Sequence, residues 1–201
     1  MPNANERDGD GVYDVVALVG SLRRQSLNRN LLRAAQELKP EAMRIVEAPI
    51  RDLPLFDEDL ETQGDPAPVQ QFKAAILAAD ALLVVTPEYN QSIPGVLKNA
   101  IDWASRRYGT APALAGKPVA MLGASSGRIG TSRAQLHLRQ LFPYLDMRLL
   151  PKPEVYVPNA AGKFDPAGNL TDERTRDQVR RLLAALLDWT VLLSHAPAVR
   201  P

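Results

Sequence analysis

The sequence predicts an α/β fold: one five-stranded parallel sheet held between two layers of helices. Three observations carry this. Short apolar runs alternate along the chain with longer stretches whose apolar residues recur at helical spacing. The short runs are almost continuously apolar, as in strands buried on both faces, not alternating as in a sheet with one wet face. Two of these runs end in loops rich in hydroxyls, amides and backbone donors, at the strand ends where such sheets take ligands. The 201 residues suffice for one domain with a substantial core, and 45% hydrophobic with 23% charged residues is an ordinary globular balance.

Each element can be justified in turn. Residues 12–19 form a short run, apolar but for Asp14, that ends at Gly20 and reads as a first buried strand. Asn28 is a helix-capping residue type, and the helix expected at 29–38 sets Leu31, Leu32 and Ala35 on one face. Residues 43–47 make a second strand, stopped by Pro49. Residues 50–68 read as loop, with Leu53, Pro54, Leu55 and Phe56 as an apolar patch suited to covering the core. A helix at 69–79 leads into a third strand at 81–85. Ser92 or Ile93 is expected to cap the next helix, with Pro94 in its first turn, where a missing N–H is harmless. Val96, Leu97, Ala100, Ile101 and Trp103 supply that helix's apolar stripe.

Residues 117–123 form a fourth strand, with Pro118 at its beginning. A helix at 132–145 precedes a fifth strand lying within 148–157, whose limits Pro151, Pro153 and Pro158 leave open. After a turn-rich connection, the last helix at 171–194 carries Val179, Leu182, Leu183, Leu186, Leu187 and Val191 at helical spacing. No repeat or linker divides this region. The expected organisation is a disordered polar leader (1–11), one domain (12–195) and a short tail (196–201). Strand–helix alternation with five strands favours the flavodoxin-like three-layer sandwich with strand order 2-1-3-4-5 and a ligand site near strands one and three.

Composition removes several functions. A net charge of +1 offers no dominant basic face for nucleic acid or a membrane surface. With no cysteine, a disulfide scaffold, a thiolate nucleophile, a cysteine-based zinc site and an iron–sulfur cluster are all excluded. That absence fits a reducing, cytoplasmic compartment. The leader lacks the apolar segment of a secretory signal, and no apolar run reaches bilayer length.

The loop after the first strand, residues 20–28, contains neither a dinucleotide fingerprint nor a P-loop. It does bring Ser21, Ser26 and Asn28 to a helix N-terminus, where unpaired N–H groups and the helix dipole favour an anion. Arg23 adds a charge-assisted donor. The competing reading is that Ser26 and Asn28 merely cap the helix. The loop after the third strand, Thr86-Pro87-Glu88-Tyr89-Asn90-Gln91-Ser92, offers an aromatic, amides and backbone donors to a flat heterocycle. Its competing reading is a tight turn with a buried tyrosine. Together the two loops describe a nucleotide-like cofactor held end to end.

Four segments resemble the NADPH-dependent FMN reductase family, especially its quinone and chromate reductase members: GSLRRQSLN (20–28), LPLFDED (53–59), TPEYNQSIPGVLKNAIDWASR (86–106) and LAGKPVAMLGASSGRIGTSRAQLHLRQ (114–140). The resemblance implies that Ser21, Arg23, Ser26 and Asn28 hold the FMN phosphate. It implies that Pro87, Glu88, Tyr89 and Asn90 line the ribityl chain and ring, and that Ser125, Ser126 and Gly127 complete the pocket. It further implies an NAD(P)H oxidoreductase passing electrons from NADPH or NADH through FMN to quinones or similar acceptors (flavin, azo compounds, chromate); donor and acceptor taking the same place on the flavin in turn gives a ping-pong order as the expected mechanism. No side chain is then required as a catalytic acid or base. Arg128 and Arg23 are candidates for the NADPH 2′-phosphate. The family's usual homodimer or homotetramer is implied as well. Gly130-Thr131 departs from the paired glycines common there, which puts the path of that loop in question.

Other readings compete. Gly123-Ala124-Ser125-Ser126-Gly127 matches the nucleophile-elbow pattern of a serine hydrolase, with His195 downstream. His137 falls within a helix. A flavodoxin-like electron carrier, or a flavin-binding module sensed by a partner, would use the same fold without being an enzyme.

Overall fold

The computed structural model describes residues 11–108 and 111–195. Most of the expected leader, residues 1–10, and the tail, 196–201, therefore lie outside the described residues. The elements in chain order are β1 (Tyr13–Val19), α1 (Leu27–Leu38), β2 (Met43–Glu47), α2 (Glu58–Thr62), α3 (Ala67–Ala78), β3 (Ala81–Val85), α4 (Gly95–Ser105), β4 (Arg107–Tyr108), β5 (Ala111–Pro112), β6 (Pro118–Ala124), α5 (Ser132–Tyr144), β7 (Arg148–Leu149), β8 (Val155–Val157), a 3-10 turn (Ala160–Lys163) and α6 (Glu173–Ser194).

The main sheet is parallel with order β2-β1-β3-β6-β7, and β8 pairs with β6 further along. This is the expected 2-1-3-4-5 order, with the fifth position shared by two short strands. Pro118 and Val119 pair with β7, whereas Leu122, Gly123 and Ala124 pair with β8. Pro151 and Pro153 lie between them and have no N–H to give a ladder, so the chain leaves β6 and rejoins it.

Side-chain alternation sorts the strands onto two cores. Val15, Ala17 and Val19 of β1, with Leu83 and Val85 of β3 and Leu122 of β6, pack under α1 and α6. Val16 and Leu18, with Leu82, Val84 and Met121, pack under α3, α4 and α5. Trp103 is fully buried in the second core, and Phe56 meets it edge-on with ring centroids 5.0 Å apart. The Trp103 indole N–H and the Asn99 amide both donate to the Pro54 carbonyl at 2.8 Å. The patch at 53–56 therefore does cover core through Leu53 and Phe56, while Leu55 faces solvent.

Several local expectations need correction. Helix α1 starts at Leu27, and Ser26, not Asn28, is its N-cap: Ser26 Oγ accepts the Arg29 N–H at 3.3 Å. Asn28 has a distant partner instead, described below. The cap of α4 is Pro94, not Ser92 or Ile93, because Ser92 is committed to a turn with Tyr89. The stretch 50–68 contains the short helix α2, started by the Asp57 carboxylate accepting the Asp59 N–H. The 3-10 turn and the β4–β5 pair were not expected either.

Candidate functional site

Parallel connections bring the loops after β1, β3 and β6 to one edge of the sheet, where they enclose a cavity of about 220 Å³. Ser21, Arg23, Ser26, Asn28, Pro87, Glu88, Tyr89, Ser125 and Ser126 line it, together with Leu27 and Ala124. Of the sequence-derived candidates, Asn90 and Gly127 are not brought to the wall.

The first loop forms one end. Ser21 and Ser26 are buried with their hydroxyls at the mouth of α1, and Arg23 is exposed beside them. The Arg23 N–H approaches Ser21 Oγ at 3.4 Å, which closes the loop over this hydroxyl. Ser26 Oγ takes the Arg29 N–H, and the first amides of α1 have no acceptor inside the helix. Gly20 eases this closeness: a Cβ there would stand 3.1 Å from Pro87 Cδ and 3.2 Å from Leu97 Cδ2, and both side chains would have to give.

Asn28 lies at the wall, and its side chain is bonded to the third loop. Its Oδ1 accepts the Ala124 N–H at 2.8 Å, and its Nδ2 donates to the Ala124 carbonyl at 2.9 Å. β3 ends at Val85, and its side of the β6 ladder closes with Thr86 N–H donating to the Leu122 carbonyl. Asn28 supplies the next backbone partner in place of a strand. The residue read as a cap is thus a strut between the first and third loops.

The second loop carries the aromatic. Tyr89 and Ser92 exchange backbone hydrogen bonds at 3.1 and 2.9 Å across Asn90 and Gln91, which both have positive φ (+49° and +63°). That is the pattern of a type I′ turn. Tyr89 is 49% exposed, not buried, and its Oη lies 3.5 Å from Ser21 Oγ. The Glu88 carboxylate accepts the N–H groups of Arg133 and Ala134 at 2.8 and 3.1 Å, so it serves the N-terminus of α5.

The third loop is fastened from behind. Ser125 Oγ accepts the Gly127 N–H at 3.1 Å, while the Ser125 and Gly127 carbonyls accept from Ala160 and Asn159. The Gly130-Thr131 departure is absorbed without strain, since Gly130 alone takes positive φ (+69°) and Thr131 has φ −123°. Sequence reasoning missed Gly123: a Cβ there would collide with the Thr86 carbonyl and Thr131 Oγ1. It also missed the hydrogen bond between Ser92 Oγ and His137 Nδ1 (2.9 Å). A glycine inside an otherwise bulky apolar strand was the one available signal for the first; the second had none.

This arrangement does not make a hydrolase. Ser125 Oγ faces the Gly127 amide, His137 is bonded to Ser92, and His195 caps the far end of α6. Beside the third loop, burial first and Glu154 second raise the Tyr156 phenol, while Lys152 first holds Glu154 below its ordinary range. Among the described residues, no group of three or more His, Cys, Asp or Glu is placed to hold a metal, and no helix is long and apolar enough to cross a membrane.

The residues present fit a flavin mononucleotide: hydroxyls, helix amides and an arginine at one end, and a half-exposed aromatic with backbone donors at the other. Comparison with known proteins agrees. The family model described as NADPH-dependent FMN reductase matches residues 13–162. An NAD(P)H-dependent FMN reductase of Pseudomonas aeruginosa is 49% identical over 175 residues, covering 87% of this chain and 94% of that protein. A quinone reductase of Escherichia coli K12 is 42% identical over 174 residues, covering 85% and 92%. The solved structure of FerB, a flavoenzyme NAD(P)H:(acceptor) oxidoreductase from Paracoccus denitrificans, superposes with a TM-score of 0.83 at 38% identity, covering 90% of this chain and 98% of that one. On sequence, fold and site alike, the chain belongs to the NADPH-dependent FMN reductase family.

Proposed function

We propose that this protein is an FMN-dependent NAD(P)H reductase whose acceptor is a quinone or a similar planar oxidant. The observation that carries this is the asymmetry of the crevice. Ser21, Ser26, the α1 amides and Arg23 would hold the phosphate, with the helix dipole adding to the attraction. Pro87 and Tyr89 would border the ring, with Ser125 and Ser126 on the opposite wall. At about 220 Å³ the cavity is smaller than the roughly 300–1,000 Å³ of pockets that enclose drug-sized ligands, which is in keeping with a cofactor only partly enclosed and a ring face left to visiting substrates.

When bound, FMN supplies the two-electron redox chemistry. The protein's residues bind, orient and polarise; none of them has to move a proton for hydride transfer. Arg23 stands at the cavity wall, where this reading commits it to the FMN phosphate, and Arg128, off that wall, is the candidate for the 2′-phosphate of NADPH. One site serving donor and acceptor in turn gives ping-pong kinetics. Flavin, azo compounds and chromate are further acceptors within this proposal. Assembly into a homodimer or homotetramer is also part of it, supported by the exposed Leu136 and Tyr144 on α5, and checked by sedimentation. A cytoplasmic location is in keeping with the cysteine-free sequence.

The test is an absorbance spectrum of the purified protein reconstituted with FMN, before and after anaerobic NADPH, followed by initial rates with a benzoquinone. Bleaching of the flavin band and parallel double-reciprocal lines are expected. A protein that binds no FMN would overturn the assignment, and intersecting lines would overturn the ping-pong order. An electron carrier would bind FMN yet fail to oxidise NADPH directly.

A further inference from the structure

We infer that Glu88 and the Ser92–His137 pair form a two-point clasp by which helix α5 holds the Tyr89 turn, and that Glu88 is a positioning residue whose carboxylate does not bind the cofactor. The inference rests on the proposal that the crevice receives FMN, but its geometry is independent of it. Glu88 Oε2 accepts from both Arg133 N–H and Ala134 N–H, and the Arg133 guanidinium lies 3.5 Å from Oε1. The side chain is only 10% exposed, so this carboxylate is spent on α5. Four residues later Ser92 Oγ meets His137 Nδ1, one helical turn beyond Ala134.

Between these anchors lies the least comfortable backbone of the site. Asn90 and Gln91 both sit at positive φ with a Cβ to accommodate, a conformation that persists only where the surroundings hold it. Asn tolerates this region, whereas Gln is an ordinary residue there. The turn's own two backbone bonds close it but do not orient it. The clasp does so: it aims Tyr89 along the crevice toward Ser21, 3.5 Å away, and sets the shelf against the phosphate loop. Helix α5 thus transmits its position to the ring end of the site while the phosphate end is built separately by α1.

Hydrogen exchange on the flavin-free chain, paired with spectra of the FMN-loaded protein, tests the clasp. Glu88→Ala should accelerate exchange at the Arg133, Ala134, Tyr89 and Ser92 amides by at least about tenfold, as expected for lost bonds to a charged acceptor. Glu88→Gln keeps an oxygen that can accept from the same N–H groups and should restore most of the protection. In the loaded protein, the visible circular dichroism of FMN should change in Glu88→Ala and return in Glu88→Gln. His137→Ala, at an exposed position, should shift the same signal and serves if Glu88→Ala does not fold. Unchanged exchange at Tyr89 and Ser92, or unchanged flavin dichroism in both alanine variants, overturns the inference. A wild-type chain that binds no FMN overturns the functional reading alone, because the exchange measurement then decides the clasp by itself.

Discussion

Asn28 allows a sharp quantitative test, because its side chain stands in for a β-strand. In Asn28→Ala the Ala124 N–H and carbonyl each lose a partner at a site where Asn28 is only 3% exposed. Leaving a buried polar group unpaired costs about 1–3 kcal/mol, so the pair should cost about 2–6 kcal/mol. Against a total stability of about 5–15 kcal/mol this is a large fraction. With a urea slope of about 2–3 kcal/mol/M, the unfolding midpoint should fall by about 0.7–3 M. Asn28→Asp separates the two bonds. Its carboxylate can still accept the Ala124 N–H but sets a second oxygen against the Ala124 carbonyl. Protonation restores a donor, so this aspartate's pKa should be raised in the folded state. A raised pKa means the lost stability returns as pH falls through that value and is absent above it. Urea melts of all three proteins at pH 5 and pH 8 check this. An Asn28→Ala midpoint within error of wild type, or an Asn28→Asp deficit that is the same at both pH values, would refute the strut.

Further outcomes follow from the same geometry. Gly123→Ala should cost about 2–3 kcal/mol and weaken FMN binding, since its Cβ would press on the Thr86 backbone and Thr131; urea melts and a flavin titration measure both. Ser21→Ala should leave the melting temperature nearly unchanged but weaken FMN about 10- to 100-fold, the worth of one hydrogen bond to a charged group; fluorescence-quenching titration reads it. Asp172 caps α6 by accepting from the Thr175 N–H at 3.0 Å and also bonds Lys163 and the Thr175 hydroxyl. These bonds, the Thr175 hydroxyl first, hold its pKa down to about 2. Asp172→Ala should cost about 1 kcal/mol at neutral pH. The depressed pKa makes that contribution complete above about pH 4 and lost as pH falls toward 2, so thermal melts of the two proteins should converge in acid.

The fold was legible because its signals are local. The apolar runs at 15–19, 81–85 and 118–124 require burial on both faces, and helices on both sides supply it. Prolines and glycines punctuated most turns correctly. They misled or fell silent where tertiary pairing decides the ends of elements. The fifth strand broke in two because β6 offers a ladder long enough to be met twice, on either side of two prolines. The site was legible as a set of loops, and most of its wall residues were named. Their roles were less so. Ser26 does the capping expected of Asn28, and Glu88, read as lining the cofactor, is bonded to the N-terminus of α5.

The sequence by itself determined the alternation of strands and helices and the chemistry the loops carry. These depend on periodicity and residue type within a few positions. Only the tertiary structure decided which side chains face the ligand and which hold the walls. Asn28 meets Ala124 from 96 positions away, and Glu88 meets Arg133 from 45. A short polar side chain bonds whatever backbone group lacks a partner nearby, and which group that is depends on where neighbouring strands and helices end.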